Sequence, residues 1–147
     1  MHVEVVKKEI LADTDILKLI PQREPMVMVS GLLAADEKGV TTYLRLEKDN
    51  IFVQDGLFRE SGLIENIAQS AAAMNGYRAL ISGEPVKKGY IGGIKNMEVF
   101  ALPKSGVRLT TRVRETYNVM DASIIEGEVY CGDQLISRCE MKVFMQA

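Results

Sequence analysis

The chain of 147 residues has no tryptophan, one histidine, two cysteines and four prolines. Because the only histidine is His2, close to the N-terminus, a Ser-His-Asp triad, a Cys-His pair and a multi-histidine zinc site are all excluded within one chain. Cys131 and Cys139 have neither Cys-x-x-Cys nor Cys/His spacing, so they read as reduced thiols buried in neighbouring strands, with no metal site between them. No run of Lys and Arg exceeds two residues and the formal net charge is −2, which leaves no electrostatic footprint for nucleic acid. Apolar stretches end well short of the roughly 18 residues that a membrane span needs. Residues 1–20 carry Glu4, Lys7, Lys8, Glu9, Asp13 and Asp15 where a signal peptide would have an apolar core, so the expected compartment is the cytoplasm, with no membrane partner. The remaining balance, 47% hydrophobic and 26% charged residues, is that of one soluble domain over residues 1–147. Such a chain buries roughly two-thirds of its unfolded surface without a metal or disulfide to staple it.

Between Leu63 and Ile81 the apolar residues Leu63, Ile64, Ile67, Ala68, Ala71, Ala72, Met74 and Tyr77 follow a helical spacing that covers most of the circumference. Such a helix should be wrapped by other structure rather than lie on a surface. Its polar exceptions Glu65, Asn66, Gln69 and Ser70 form i,i+4 pairs near its start; Ser61 is the predicted N-cap and Gly83 the predicted stop. Beyond Gly83 the period changes to two, with strands predicted at Tyr90 to Ala101, Val107 to Tyr117, Ser123 to Cys131 and Gln134 to Met145. Short turn segments separate them, as in antiparallel hairpins. Upstream, Met26 to Leu33 and Val40 to Leu46 give two further strands, and Thr14 to Leu19 a short helix begun by an Asp13 or Thr14 cap. The expected fold is α+β, one long central helix wrapped by a mainly antiparallel sheet of about six strands, an arrangement called the hotdog fold.

Three segments in order resemble the 3-hydroxyacyl-acyl carrier protein dehydratase family. Ile20-Pro21-Gln22-Arg23-Glu24-Pro25-Met26 resembles that family's Leu-Pro-His-Arg-x-Pro-hydrophobic segment. Gly62-Leu63-Ile64-Glu65-Asn66-Ile67-Ala68-Gln69 resembles the start of its central helix, with one residue less between Gly and Glu. Ile91-Gly92-Gly93-Ile94-Lys95-Asn96, running on to Pro103-Lys104-Ser105-Gly106, is similar to its glycine-containing strand and following turn. The loop from Phe52 to Gly62 departs from the family's usual Pro-Gly-rich loop and is more like the homologues of aryl-polyene and related pigment pathways. The larger departure is Gln22, which stands where the family has its catalytic histidine.

The resemblance implies elimination of water from a 3-hydroxyacyl thioester. That reaction needs a base for the proton beside the carbonyl, an acid for the departing hydroxyl and donors for charge on the thioester oxygen. Glu65 can act as the acid and Gln69, one turn on, can orient it. Gln22 cannot be the base, because an amide has no usable proton affinity near neutral pH. The backbone amides of Gly62 and Leu63, with Gly93 opposite and Asn66 alongside, are the candidate substrate contacts. Each residue also has a structural reading: Glu65 as a solvated partner of the helix dipole, Gln69 as a satisfied polar group, Gln22 as a turn stabiliser between prolines, Gly92-Gly93 as a strand bulge. Tyr90, Tyr117 and the methionines read as walls of the core or of an acyl tunnel.

The implied partners are an acyl carrier protein or an acyl-CoA thioester, met by Arg23, Arg59, Lys95 and Lys104 near the tunnel mouth. The resemblance further implies a homo-oligomer, a dimer or higher, with sites at the subunit interface. Pairing with a histidine-bearing homologue would let Glu65 complete the partner's site while the Gln22 site stays silent. No cofactor or metal is implied. Two other classes use the same residues: a thioesterase in which Glu65 activates water, and a non-catalytic acyl-binding protein.

Overall fold

In the computed structural model, which describes residues 11–146, a two-residue strand β1 (Leu11–Ala12) runs into a 3-10 helix (Asp13–Lys18). An irregular segment follows, then β2 (Gly31–Ala35), β3 (Gly39–Arg45) and a small separate ribbon of β4 (Val53–Gln54) and β5 (Leu57–Phe58). The helix α1 (Glu60–Ser82) precedes the strands β6 (Gly89–Val99), β7 (Arg108–Val119), β8 (Ala122–Cys131) and β9 (Gln134–Met145). The main sheet has the order β1-β2-β3-β7-β8-β9-β6, with every neighbouring pair antiparallel. One long helix against an antiparallel sheet of six substantial strands and the β1 stub is the expected α+β arrangement. The link through α1 carries the chain from β3 across to β6 at the far edge. His2 lies outside the described residues. No helix among the described residues is long and apolar enough to cross a membrane.

Alternation along the strands explains which face meets the helix. In β7, Leu109, Thr111 and Val113 are buried while Arg108, Arg112 and Arg114 are exposed, and in β8 Ser123, Ile125, Gly127 and Val129 repeat the pattern. Those inward residues pack with Leu63, Ile67, Ala71 and Met74 of α1 in one core. At Gly127 the helix comes so close that an added Cβ would lie 2.4 Å from Ile67 Cγ2, so a larger residue there would displace the Ile67 side chain. Both cysteines are free: Cys131 is half-buried, and burial pushes the Cys139 thiol up to about 11.

The helix starts earlier than its periodicity predicts. Glu60 is its first residue and Ser61 an exposed position of the first turn, so Ser61 is not the cap; Arg59 takes the N-cap place with extended backbone and no side-chain capping bond. The entry is set instead by the ribbon, where Phe58 N donates to Pro103 O at 2.8 Å and Arg59 N to Phe52 O at 2.9 Å. The predicted stop is where the periodicity puts it. Gly83 adopts φ 73°, and Glu84 N donates to Ala79 O at 2.8 Å, closing the last turn.

A second difference lies in the segment from Met26 to Leu33, predicted as strand throughout. Backbone pairing with β3 begins only at Ser30, whose N donates to Tyr43 O at 2.7 Å, and runs on through β2, while residues 26–28 bond to side chains of α1 instead. Met28 N donates to Gln69 Oε1 at 2.6 Å, Asn66 Nδ2 donates to Met28 O at 2.8 Å, and Gln69 Nε2 donates to Met26 O at 2.7 Å. Behind them Thr111 Oγ1 donates to Asn66 Oδ1, Ser70 Oγ donates to Asn66 O at 2.7 Å, and the Thr42 and Ser70 hydroxyls bond at 2.7 Å. Asn66, Gln69, Ser70, Thr42 and Thr111 are all fully buried. The helix therefore supplies the hydrogen bonds that a neighbouring strand would otherwise have given to this backbone.

Removing one member of this network should leave its partners unpaired in the core. Asn66→Leu orphans Met28 O and the Thr111 hydroxyl, and is expected to cost about 2 kcal/mol or more of stability, read from the urea midpoint. Ser61→Ala, at the predicted but unused cap position, should change stability by less than about 0.5 kcal/mol.

Candidate active site

Glu65 is half-buried in the second turn of α1, and its Oε2 accepts a hydrogen bond from Gln69 Nε2 at 3.0 Å. The two residues are one helical turn apart on one face, as their spacing predicts. The same Gln69 amide donates to Met26 O and accepts from Met28 N, so both of its ends are used and its rotamer is held. Gln69 thus links the Glu65 carboxylate to the backbone that follows Gln22. A fixed amide of this kind holds a carboxylate's orientation while leaving its other oxygen available to a reacting group.

Gln22 lies in the irregular segment between the 3-10 helix and residues 26–28. Its backbone there is clamped by Arg23, whose Nη1 donates to Ile20 O at 2.8 Å and to Gln22 O at 2.7 Å. Met26 N closes a turn onto Arg23 O at 3.0 Å. The side-chain oxygen Oε1 of Gln22 is buried and, among the described residues, has no donor.

The candidate substrate contacts fall in different settings. Gly62 N donates to Arg59 O at 2.9 Å and Leu63 N to the same oxygen at 3.2 Å, so the amides expected to hold the thioester oxygen are engaged in starting the helix. Gly62 itself is needed for packing, because a Cβ there would lie 2.4 Å from the Phe58 ring and 2.7 Å from Phe52 Cβ. Asn66 has no exposed surface, and both ends of its amide are bonded inside the fold. Gly93 is exposed on β6, with open space where a Cβ would point. The Gly92-Gly93 pair does form a bulge: pairing with β9 shifts between Ile91 and Gly93, and the Phe144 ring closes over Gly92.

Of the basic residues proposed for carrier docking, Arg59 and Lys104 come together. Leu57 bridges to Lys104 next to the Phe58–Pro103 hydrogen bond, which puts the start of α1 beside the 103–106 turn. Arg23 is exposed on the Gln22 segment and Lys95 is exposed on β6 opposite Glu140, each on a separate element. Arg59 also pairs with Glu60 at 3.3 Å.

The sequence reading did not anticipate Thr42, Ser70 and Thr111 as the support behind this site. The available signal was a hydroxyl residue at an inward position on each of two adjacent strands, facing a helix whose polar residues had no other place to bond.

A model of the ApeP-like family, described as ApeP dehydratase, matches residues 14–147. No curated protein sequence matches the chain. Among solved structures, the dehydratase heterocomplex ApeI:P from Xenorhabdus doucetiae superposes with a TM-score of 0.84 at 17% identity, over 90% of this chain and 91% of that one. Cj0977, a sigma28-regulated virulence protein from Campylobacter jejuni, gives a TM-score of 0.68 at 12% identity, over 89% and 87% of the two chains. The E. coli PaaI protein from the phenylacetic acid degradation operon gives 0.63 at 9% identity, over 77% and 80%. At these identities the solved structures share the hotdog fold with it, while the family match spans nearly the whole sequence: the chain belongs to the ApeP-like dehydratase family.

Proposed function

We propose that this chain is one subunit of a heteromeric 3-hydroxyacyl-acyl carrier protein dehydratase, in which Glu65 completes a site whose histidine comes from a homologous partner. The observation that carries this reading is the pairing of a positioned acid with a missing base: Gln69 holds Glu65, while Gln22 stands where the family resemblance calls for histidine. In the reaction, the partner's base removes the proton on C2, the C2–C3 double bond forms as the C3–O bond breaks, and Glu65 delivers a proton so that hydroxide leaves as water. The ApeI:P protein with the same fold is itself a dehydratase heterocomplex, which supports the heteromeric form. So does the sheet edge. Among the described residues β6 pairs only with β9, and it exposes Tyr90, Ile91 and Ile94, an apolar strand edge of the kind proteins normally cover. A thioesterase is the second reading, favoured by the Glu65–Gln69 pair, which can activate a water without any histidine.

Purified alone, the chain should run as a dimer or larger species in light scattering, and a stable monomer at micromolar concentration would remove the interface site. Alone it should also hydrate 2-enoyl thioesters at close to background rate, since loss of a positioned base costs about 10²–10⁴ in rate. Gln22→His should restore measurable hydratase activity, and adding Glu65→Gln should abolish the gain. Release of free thiol from acyl thioesters by the unmodified chain would decide for the thioesterase.

Carrier docking is tested separately. Reversing the charge at Arg23, Arg59, Lys95 and Lys104 together should weaken binding of an acyl carrier protein and flatten its salt dependence. Unchanged affinity would place the docking surface elsewhere.

A further inference from the structure

Tyr90 and Tyr117, read from the sequence as walls of the core or of an acyl tunnel, belong to neither. Strand register puts both on the face of the sheet turned away from α1. Val119 pairs with Ala122, Ala122 with Phe144 and Phe144 with Tyr90, while in the next row Tyr117 pairs with Ile124 and Ile124 with Lys142. Cross-strand partners share a face, and here it is the one opposite to the buried Ser123, Ile125 and Val143. Tyr117 is 59% exposed, and Val119, Phe144 and Tyr90 are exposed beside it. Between Val119 and Ala122 the β7–β8 hairpin turns on two residues, Met120 and Asp121. Met120 takes the first loop place at φ 57°, where Gly, Asn or Asp is usual, and its side chain is 92% exposed, more than any other large apolar one among the described residues. A bulky apolar residue in a left-handed turn position costs backbone strain and, within this fold, meets only water.

Two cations frame the tip. Lys142 Nζ lies 5.3 Å from the Phe144 ring centroid and Lys88 Nζ 5.9 Å from that of Tyr90, and neither lysine forms an ion pair among the described residues. A second copy packed on this patch by two-fold symmetry would set four such ammonium groups together against two Asp121 carboxylates, so the patch is not complementary to itself. Nor is it a groove for a helix: the loop extends past the last cross-strand row, and the fold's cavities of about 660 and 550 Å³ take no wall from it. A protruding apolar tip ringed by aromatic side chains and lysines matches a surface that yields to it and is negatively charged.

We propose that the β7–β8 hairpin docks this chain on anionic lipid: Met120 enters the acyl boundary of the bilayer, Tyr117 and Phe144 lie at headgroup level, and Lys88 and Lys142 meet the lipid phosphates. Surface docking of this kind needs no spanning helix, and none is present among the described residues. The chain's net charge of −2 opposes it little, because charges more than about 8 Å away are largely screened at physiological salt while the two lysines sit at the contact itself.

The test is flotation of the purified full-length chain with vesicles of phosphatidylcholine alone or mixed equally with phosphatidylglycerol. Binding should require the anionic lipid and weaken as salt is raised. Lys88→Gln and Lys142→Gln should each lower partitioning about fivefold. Met120→Asn, which suits the left-handed turn, should leave the fold at least as stable and lower partitioning about tenfold. Since the chain has no tryptophan, Met120→Trp supplies a single probe whose emission should shift to the blue on anionic vesicles, whereas Asp133→Trp, in the hairpin at the other end of β8, should keep its aqueous emission. No binding to anionic vesicles, equal binding to neutral ones, or binding that Met120→Asn leaves unchanged would overturn the proposal. So would a smaller oligomer in light scattering of Met120→Asn, which would make the patch a contact between copies, or a loss of acyl carrier protein affinity in that variant, which would make it a protein-docking surface.

Discussion

An apolar helix lying on an apolar sheet has little to stop it from rotating or sliding, because dispersion and burial are nearly indifferent to small changes of register. Here the buried polar side chains of α1 remove that freedom. Asn66 reaches Met28 O on one side and Thr111 on the other, Gln69 brackets Met26 and Met28, and Ser70 meets Thr42. Each bond is worth only about 1 kcal/mol net, but each would cost more if broken inside the core, so the network selects one azimuth and one height for the helix. Everything else in the site follows from that azimuth, including the direction in which Glu65 points.

The same network joins the Glu65 carboxylate to the irregular segment that follows Gln22. Gln69 has one amide, and that amide serves both the carboxylate of Glu65 and the backbone of Met26 and Met28, one residue to either side of Val27. A shift of the irregular segment therefore moves the Glu65 carboxylate, and a shift of the helix moves the segment. Such a frame fixes the relative positions of the side chains it joins before anything binds. Its cost is visible at the start of α1, where the Gly62 and Leu63 amides serve the Arg59 carbonyl and Gly62 can bear no side chain because of Phe58 and Phe52.

The outer edge of the sheet has the opposite character. Among the described residues β6 ends the sheet, carries a bulge under the Phe144 ring and exposes large apolar side chains. An open apolar edge of this kind is a surface that proteins normally cover.

Much of this was legible in the sequence. Period two in Val107 to Tyr117, the all-round apolar helix and the left-handed stop at Gly83 are local properties, set by backbone sterics and by which side chains water rejects, and they appear in the structure nearly where the pattern puts them. The Glu65–Gln69 contact was legible for the same reason, since four residues along a helix are neighbours whatever surrounds them. The helix start was not, because it is set by hydrogen bonds to Pro103 and Phe52 and not by a capping residue. Nor was the fate of residues 26–28, whose extended, apolar pattern is as compatible with a strand as with a segment bonded to helix side chains. Sequence alone also could not show that Asn66 faces inward and is saturated, or that Gln22 Oε1 is buried without a donor. Periodicity determines which faces are apolar, but which polar atoms end up paired depends on the three-dimensional positions of groups that are about 40 residues apart in the chain, and only the tertiary packing decides those.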